Sequence, residues 1–140
     1  MISLIALSKT PINRLSIGVQ SFFEADLKLM NRVHNSVEAK NALQVAAKYF
    51  DNISVDLIYG IPGLTNEMWL ANIETALNFG IPHISSYALT VEPKTALHKL
   101  IQTGKIAAPR DEAAEKHFEI LVKTFLPIKC VSFGCTIFFD

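Results

Sequence analysis

Cysteine is nearly missing from this chain: Cys130 and Cys135 are the two thiols in 140 residues. So few exclude a disulfide-stapled secreted scaffold and point to a reducing, cytoplasmic setting. Spaced C-x4-C, the pair also offers too few thiolates for an iron–sulfur cluster and reads as structural or incidental. The four histidines, His34, His83, His98 and His117, lack short-range ligand spacing, so no metal ligands are assigned. An excess of charge of one sign is missing too. With 13 basic residues against 13 acidic, there is no basic face to hold nucleic acid or an anionic membrane. No apolar run approaches the roughly 20 residues that a membrane helix requires. The apolar N-terminus lacks a basic start and is not read as a signal peptide. Internal repeats and low-complexity tracts are absent. So is any G-x-S-x-G elbow or comparable Ser–His arrangement, which leaves nucleophilic catalysis unsupported and no catalytic residue assigned.

What is present is a chain with 50% hydrophobic residues, long enough for one core. Three β-type runs, residues 14–20 (RLSIGVQ), 52–59 (NISVDLIY) and 83–89 (HISSYAL), are each followed by helical periodicity. Such alternation predicts α/β architecture, with parallel βα units. After the first run, Ser21 and Glu24 have capping-box spacing for a helix through Leu27, Leu29 and Met30. A second helix follows, with Ala39, Ala42, Leu43, Ala46, Ala47 and Phe50 on one face. The turn-rich Gly60-Ile61-Pro62-Gly63 loop leads to Thr65, which caps a helix carrying Trp69, Ile73, Ala76 and Leu77. Gly80 and Pro82 end that helix, and a short one is expected around residues 97–101. Asp111 and Glu112 form the acidic first turn of a final helix, with Phe118, Leu121, Val122 and Phe125 on one face.

A strand's period of two sorts these runs into faces. Leu15, Ile17, Val19, Ile53, Val55 and Leu57 make a branched surface suited to packing under helices. The opposite face is expected to hold Ser16, Gly18, Gln20, Ser54, Asp56, Ile58, Ser86, Ala88 and Thr90. A closed βα-barrel fills its interior with bulky branched side chains, so a small, polar inner face implies space for a polar ligand. Gln20 and Asp56 lie toward the C-terminal halves of their strands, where parallel α/β folds bind ligands. The competing reading makes Asp56 a structural acid satisfied by backbone donors or Arg14. The glycines of the 60–63 loop either make a tight turn or let backbone approach a ligand closely. Arg32 is either a carboxylate clamp or an ordinary surface arginine.

Four stretches in order carry a resemblance: N-R-L-S-I-G-V-Q at 13–20, N-R-V-H-N at 31–35, N-I-S-V-D-L-I-Y-G-I-P-G at 52–63, and H-I-S-S-Y-A-L-T-V-E-P at 83–93. They resemble the radical S-adenosylmethionine (SAM) proteins of the oxygen-independent coproporphyrinogen III oxidase and HemW type, over about residues 11–125. The resemblance implies part of a radical SAM partial TIM-type barrel. In the full-length family, a 4Fe-4S cluster reduces SAM to a 5′-deoxyadenosyl radical. By motif position, Gln20, Arg32, Asp56 and Ala88 correspond to SAM contacts. Arg32 is expected near the SAM carboxylate, Asp56 accepts from a SAM hydroxyl or amino group, and Ala88 leaves room beside it. His34 and Asn35 favour the HemW branch, associated with haem binding and transfer, over the oxidase. Partners implied are small molecules (SAM, haem or porphyrin) and the remainder of the same protein.

The departures are as informative. The C-x3-C-x2-C cluster motif and the G-G-G-T-P segment of the family do not occur. Residues 1–125 are therefore expected to be a central and C-terminal part of a radical SAM barrel domain, and 126–140 a divergent segment. The whole is expected to be an internal fragment, inactive alone. Two alternatives stand beside it: a non-catalytic SAM- or haem-binding domain, and an unrelated α/β enzyme with Asp56 as a base.

Overall fold

A computed structural model describes residues 3–126. The elements run α1 (Leu4–Leu7), β1 (Arg14–Gln20), α2 (Glu24–Leu29), α3 (Ser36–Tyr49), β2 (Asn52–Tyr59), α4 (Asn66–Asn78), β3 (His83–Ala88), α5 (Ala96–Gln102) and α6 (Asp111–Phe125). The strands form one parallel sheet in the order β1-β2-β3, with helical connections between neighbours, as the alternation of runs predicts. The segment expected to be divergent, apart from Leu126, and both cysteines lie outside the described residues.

One face of the sheet is the core. Val19, Ile53, Val55, Leu57 and Ile84 are buried there with Leu43 and Ala46 of α3 and Trp69, Ile73 and Ala76 of α4. Full burial of a side chain such as Leu43 stabilises by about 1.5–3 kcal/mol. Local chemistry sets the helix starts. Thr65 Oγ1 accepts from Met68 N–H at 3.1 Å, the expected cap. Asn35 and Glu38 exchange side-chain and backbone bonds at 2.9 Å each, a capping box that starts α3.

Two expectations need correction. Ser21 does not cap α2; Phe23 occupies the N-cap position without a side-chain bond, and Ser21 is buried. Glu24 instead accepts from Ser36 N–H at 2.7 Å and ties α2 to α3, because its exposed carboxylate meets an unsatisfied N–H at the start of α3. In α6 the inward face is His117, Leu121 and Phe125, while Phe118 is exposed. Leu121 and Phe125 face inward as predicted, but His117 takes the place expected of Phe118, because His117 has buried partners. Gly60 N–H donates to its Nδ1 at 2.9 Å, and its carbonyl accepts from Trp69 Nε1–H at 2.8 Å.

This docking also involves the first residue of the 60–63 loop. Gly60 sits at φ +71°, and a Cβ there would stand 3.1 Å from Ala114 Cβ. At Gly60 the close approach that glycine permits is to α6, whereas Gly63 has open space around it. With Nδ1 accepting, the neutral imidazole carries its proton on Nε2, which is buried without a hydrogen-bond partner. Burial alone pushes the His117 pKa down.

Candidate functional site

The other face of the sheet is partly exposed among the described residues. Cα register pairs Ser16 with Ser54 and Gly18 with Asp56 across β1 and β2, then Ser54 with His83 and Asp56 with Ser85 across β2 and β3. Paired residues of a parallel sheet share a face, so Ser16, Gly18, Ser54, Asp56, His83 and Ser85 lie together. The small, polar face read from β1 and β2 is present. Its continuation into β3 is not the expected one: Ser85 and Tyr87 belong to it, whereas Ser86 pairs with Leu57 and is buried on the helix side. Ser86 Oγ has no hydrogen-bond partner among the described residues. Ala88 pairs with Tyr59 and so has the parity of the helix side; at the C-terminal end of β3 it is exposed. The phase between strands follows from register, which periodicity within one strand does not contain.

Asp56 is half-buried at the centre of this face. Ser16 Oγ lies 3.3 and 3.4 Å from its two oxygens, long hydrogen bonds, and Ser85 stands at the paired position on β3. These hydroxyls replace the backbone donors or Arg14 of the competing reading. Burial pushes the Asp56 carboxyl up, and Ser16, the His83 charge and Ser85 oppose that. Ser85 Oγ also stands 3.3 Å from Ser54 Oγ, which extends the row of hydroxyls.

Gln20 reaches the same face by an unusual route. The ladder shifts between Gly18 and Gln20, and Gln20 has φ +70°. Its carboxamide folds back so that a Cβ on Gly18 would lie 2.9 Å from Gln20 Nε2. Gly18 thus provides room for Gln20, and its register partner is Asp56. A left-handed conformation costs a residue other than glycine about 1–2 kcal/mol.

Arg32 lies apart from these two. Exposed on the turn after α2, it lines a cavity of about 300 Å³ together with Met30, Leu89, Thr90 and Glu92. Its guanidinium enters no ion pair among the described residues. His34 anchors the same turn: its Nε2 is 3.0 Å from the Val19 carbonyl, which only accepts, so the nitrogen donates. The residues that sequence reading missed are Ser21, Asp26 and Asn72, a buried group behind Gln20. The available signal was Asn72, an amide on the otherwise apolar Trp69–Ile73–Ala76 face.

As for cofactors, the small polar face with its acceptor carboxylate and free amide suits a nucleoside-bearing ligand such as SAM. A cluster does not fit the described residues, among which no three His, Cys, Asp or Glu side chains come together to hold a metal. No helix among them is long and apolar enough to cross a membrane.

A model of the radical SAM superfamily matches residues 3–76. The heme chaperone HemW of Bacillus subtilis is 38% identical over 117 residues, covering 83% of this chain and 31% of that protein. HemW of Buchnera aphidicola is 44% identical over 93 residues, covering 66% of this chain and 25% of that one. The chain thus spans less than a third of either relative's length. Among solved structures, coproporphyrinogen III oxidase HemN of Escherichia coli, a radical SAM enzyme, superimposes with a TM-score of 0.74 at 23% identity, over 89% of this chain and 29% of that one. That likeness shows the same fold. The alternative of an unrelated α/β enzyme gives way to this match. A superfamily match over more than half of the chain, on a parallel sheet with a partly exposed polar face, means that the chain belongs to the radical SAM superfamily.

Proposed function

We propose that this chain is a segment of a HemW-type radical SAM protein, that it supplies one wall of the SAM pocket, and that it is not catalytic alone. One observation carries the proposal: the Gln20 carboxamide lies over Gly18, on the face that holds Ser16, Asp56 and Ser85. On this wall Asp56 accepts from a SAM hydroxyl or amino group. Gln20 offers an amide NH2 as donor and a carbonyl oxygen as acceptor beside it, and Ala88 leaves room at the rim. The Arg32 guanidinium pairs with the methionyl carboxylate, for which its fork geometry is suited.

A 4Fe-4S cluster supplies the electron for SAM cleavage in this superfamily. The C-x3-C-x2-C motif is not among these 140 residues, so no redox step is assigned to them. The remainder of the same protein would bring the cluster and complete the pocket. Haem is the proposed cargo, because the Bacillus subtilis and Buchnera aphidicola relatives are named heme chaperones.

Calorimetric titration of SAM into the 140-residue chain tests the pocket. Saturable binding is expected, weaker in Asp56→Ala and in Gln20→Ala. An absence of saturable heat from the parent chain would remove the proposal. Titrating haem tests the cargo separately, and a Soret band that never shifts would place haem binding outside this segment.

A further inference from the structure

Immediately after Gln20 the chain enters a buried polar group that the polar face does not use. Ser21, fully buried, donates from Oγ to Asp26 Oδ2 at 2.6 Å. The same oxygen accepts from Asn72 Nδ2 at 3.1 Å and from Phe23 N–H at 3.2 Å. Asn72, at 0% exposure in the middle of α4, also turns its Oδ1 to Phe22 N–H at 2.9 Å. Both ends of its amide therefore close on the two residues that follow Gln20. On the other side, the Val19 carbonyl accepts from Ser21 N–H at 2.9 Å and from His34 Nε2 at 3.0 Å.

Gln20 is thus held from both directions at φ +70°. A residue other than glycine persists there only when its surroundings over-determine it. Burying an amide on an otherwise apolar helix face is unfavourable unless it is paired, and here both its nitrogen and its oxygen have partners.

We infer that Asn72, acting through Ser21 and Phe22, is a positioning residue for Gln20: it maintains the backbone turn that lays the Gln20 carboxamide over Gly18. The consequence for SAM rests on the pocket proposed above, while the geometry itself does not.

Two variants and two readouts test this on the full 140-residue chain. Asn72→Asp keeps the shape and the acceptor for Phe22 N–H but removes the donor to Ser21. Ser21→Ala removes the same link with a smaller change. The first readout is the Gln20 side-chain amide pair in the 15N–1H spectrum, assigned with Gln20→Ala. Each variant is expected to move it to the position of the exposed Gln44 and Gln102, while the amides of Val55 and Ile84 stay in place.

The second readout is SAM titration. Each variant should weaken binding about tenfold, the scale of one lost hydrogen bond. Combined with Gln20→Ala, neither should weaken it further, because placement of an absent carboxamide has no effect. An unmoved Gln20 amide pair in a folded variant, or losses that add to those of Gln20→Ala, would overturn the inference. If the parent chain binds no SAM, the pocket proposal fails, and the spectrum alone decides the positioning.

Discussion

Replacing Gln20 by glycine and, separately, by alanine isolates the backbone cost of its left-handed conformation from the use of its side chain. Neither variant carries a carboxamide, so both are expected to lose SAM affinity alike. Their stabilities should differ. At φ +70° alanine keeps a steric cost of about 1–2 kcal/mol, which glycine avoids. Glycine gives back about 0.5–1 kcal/mol through the larger entropy of its unfolded chain. The glycine variant should therefore be the more stable by about 0.5–1 kcal/mol, whereas in an ordinary strand interior the order is reversed. With a urea dependence of about 2 kcal/mol per molar, the unfolding midpoint should lie roughly 0.3–0.5 M higher for glycine. Far-UV circular dichroism against urea measures this directly. An alanine variant with an equal or higher midpoint would refute the strained turn, and with it the account of how Gln20 reaches the Asp56 face.

Gly18→Ala puts a Cβ 2.9 Å from Gln20 Nε2, the movable end of a side chain, so stability should change by no more than about 0.5 kcal/mol while SAM affinity falls; urea unfolding beside calorimetry tells the two apart. Burial raises the Asp26 pKa above its ordinary 3.8, so the folded state retains a proton that the unfolded chain releases. Its contribution is fully present below 3.8 and declines as pH rises through the folded value; Asp26→Asn should abolish that decline in urea midpoints taken across the acid range. For His117 the sign is opposite: with its pKa below the ordinary 6.5, stability is full above 6.5 and falls as pH drops toward the folded value. His117→Ala should remove that acid limb and cost about 1–3 kcal/mol from the stranded Gly60 N–H alone, measured by urea unfolding above and below pH 6.5.

Much of this molecule was legible before any coordinates. Strand positions, the Thr65 cap and the Ala39–Leu43–Ala46 part of the inward face of α3 depend on chemistry within a few residues and stand where periodicity placed them, whereas Ala47, expected on that face, is exposed. The parity of β1 and β2 was also readable, since alternation assigned Ser16, Gly18, Ser54 and Asp56 to one face. For β3 the same alternation was read one residue out of phase, which exchanged Ser85 for Ser86. Nothing inside HISSYA states which parity faces Asp56; hydrogen bonding to β2 decides it.

The sequence by itself determined a parallel βα chain, with a branched face, a small polar face and the ordered motifs of its superfamily. Only the tertiary structure decided how Gln20 reaches Asp56, why Ser21 is no helix cap and which face of α6 turns inward. The reason is the range of the bonds involved. Phe22 meets Asn72 across 50 positions and Gly60 meets His117 across 57, and no local pattern encodes such pairings. Their cost in unpaired buried polar groups becomes visible only once helices and sheet have closed around them.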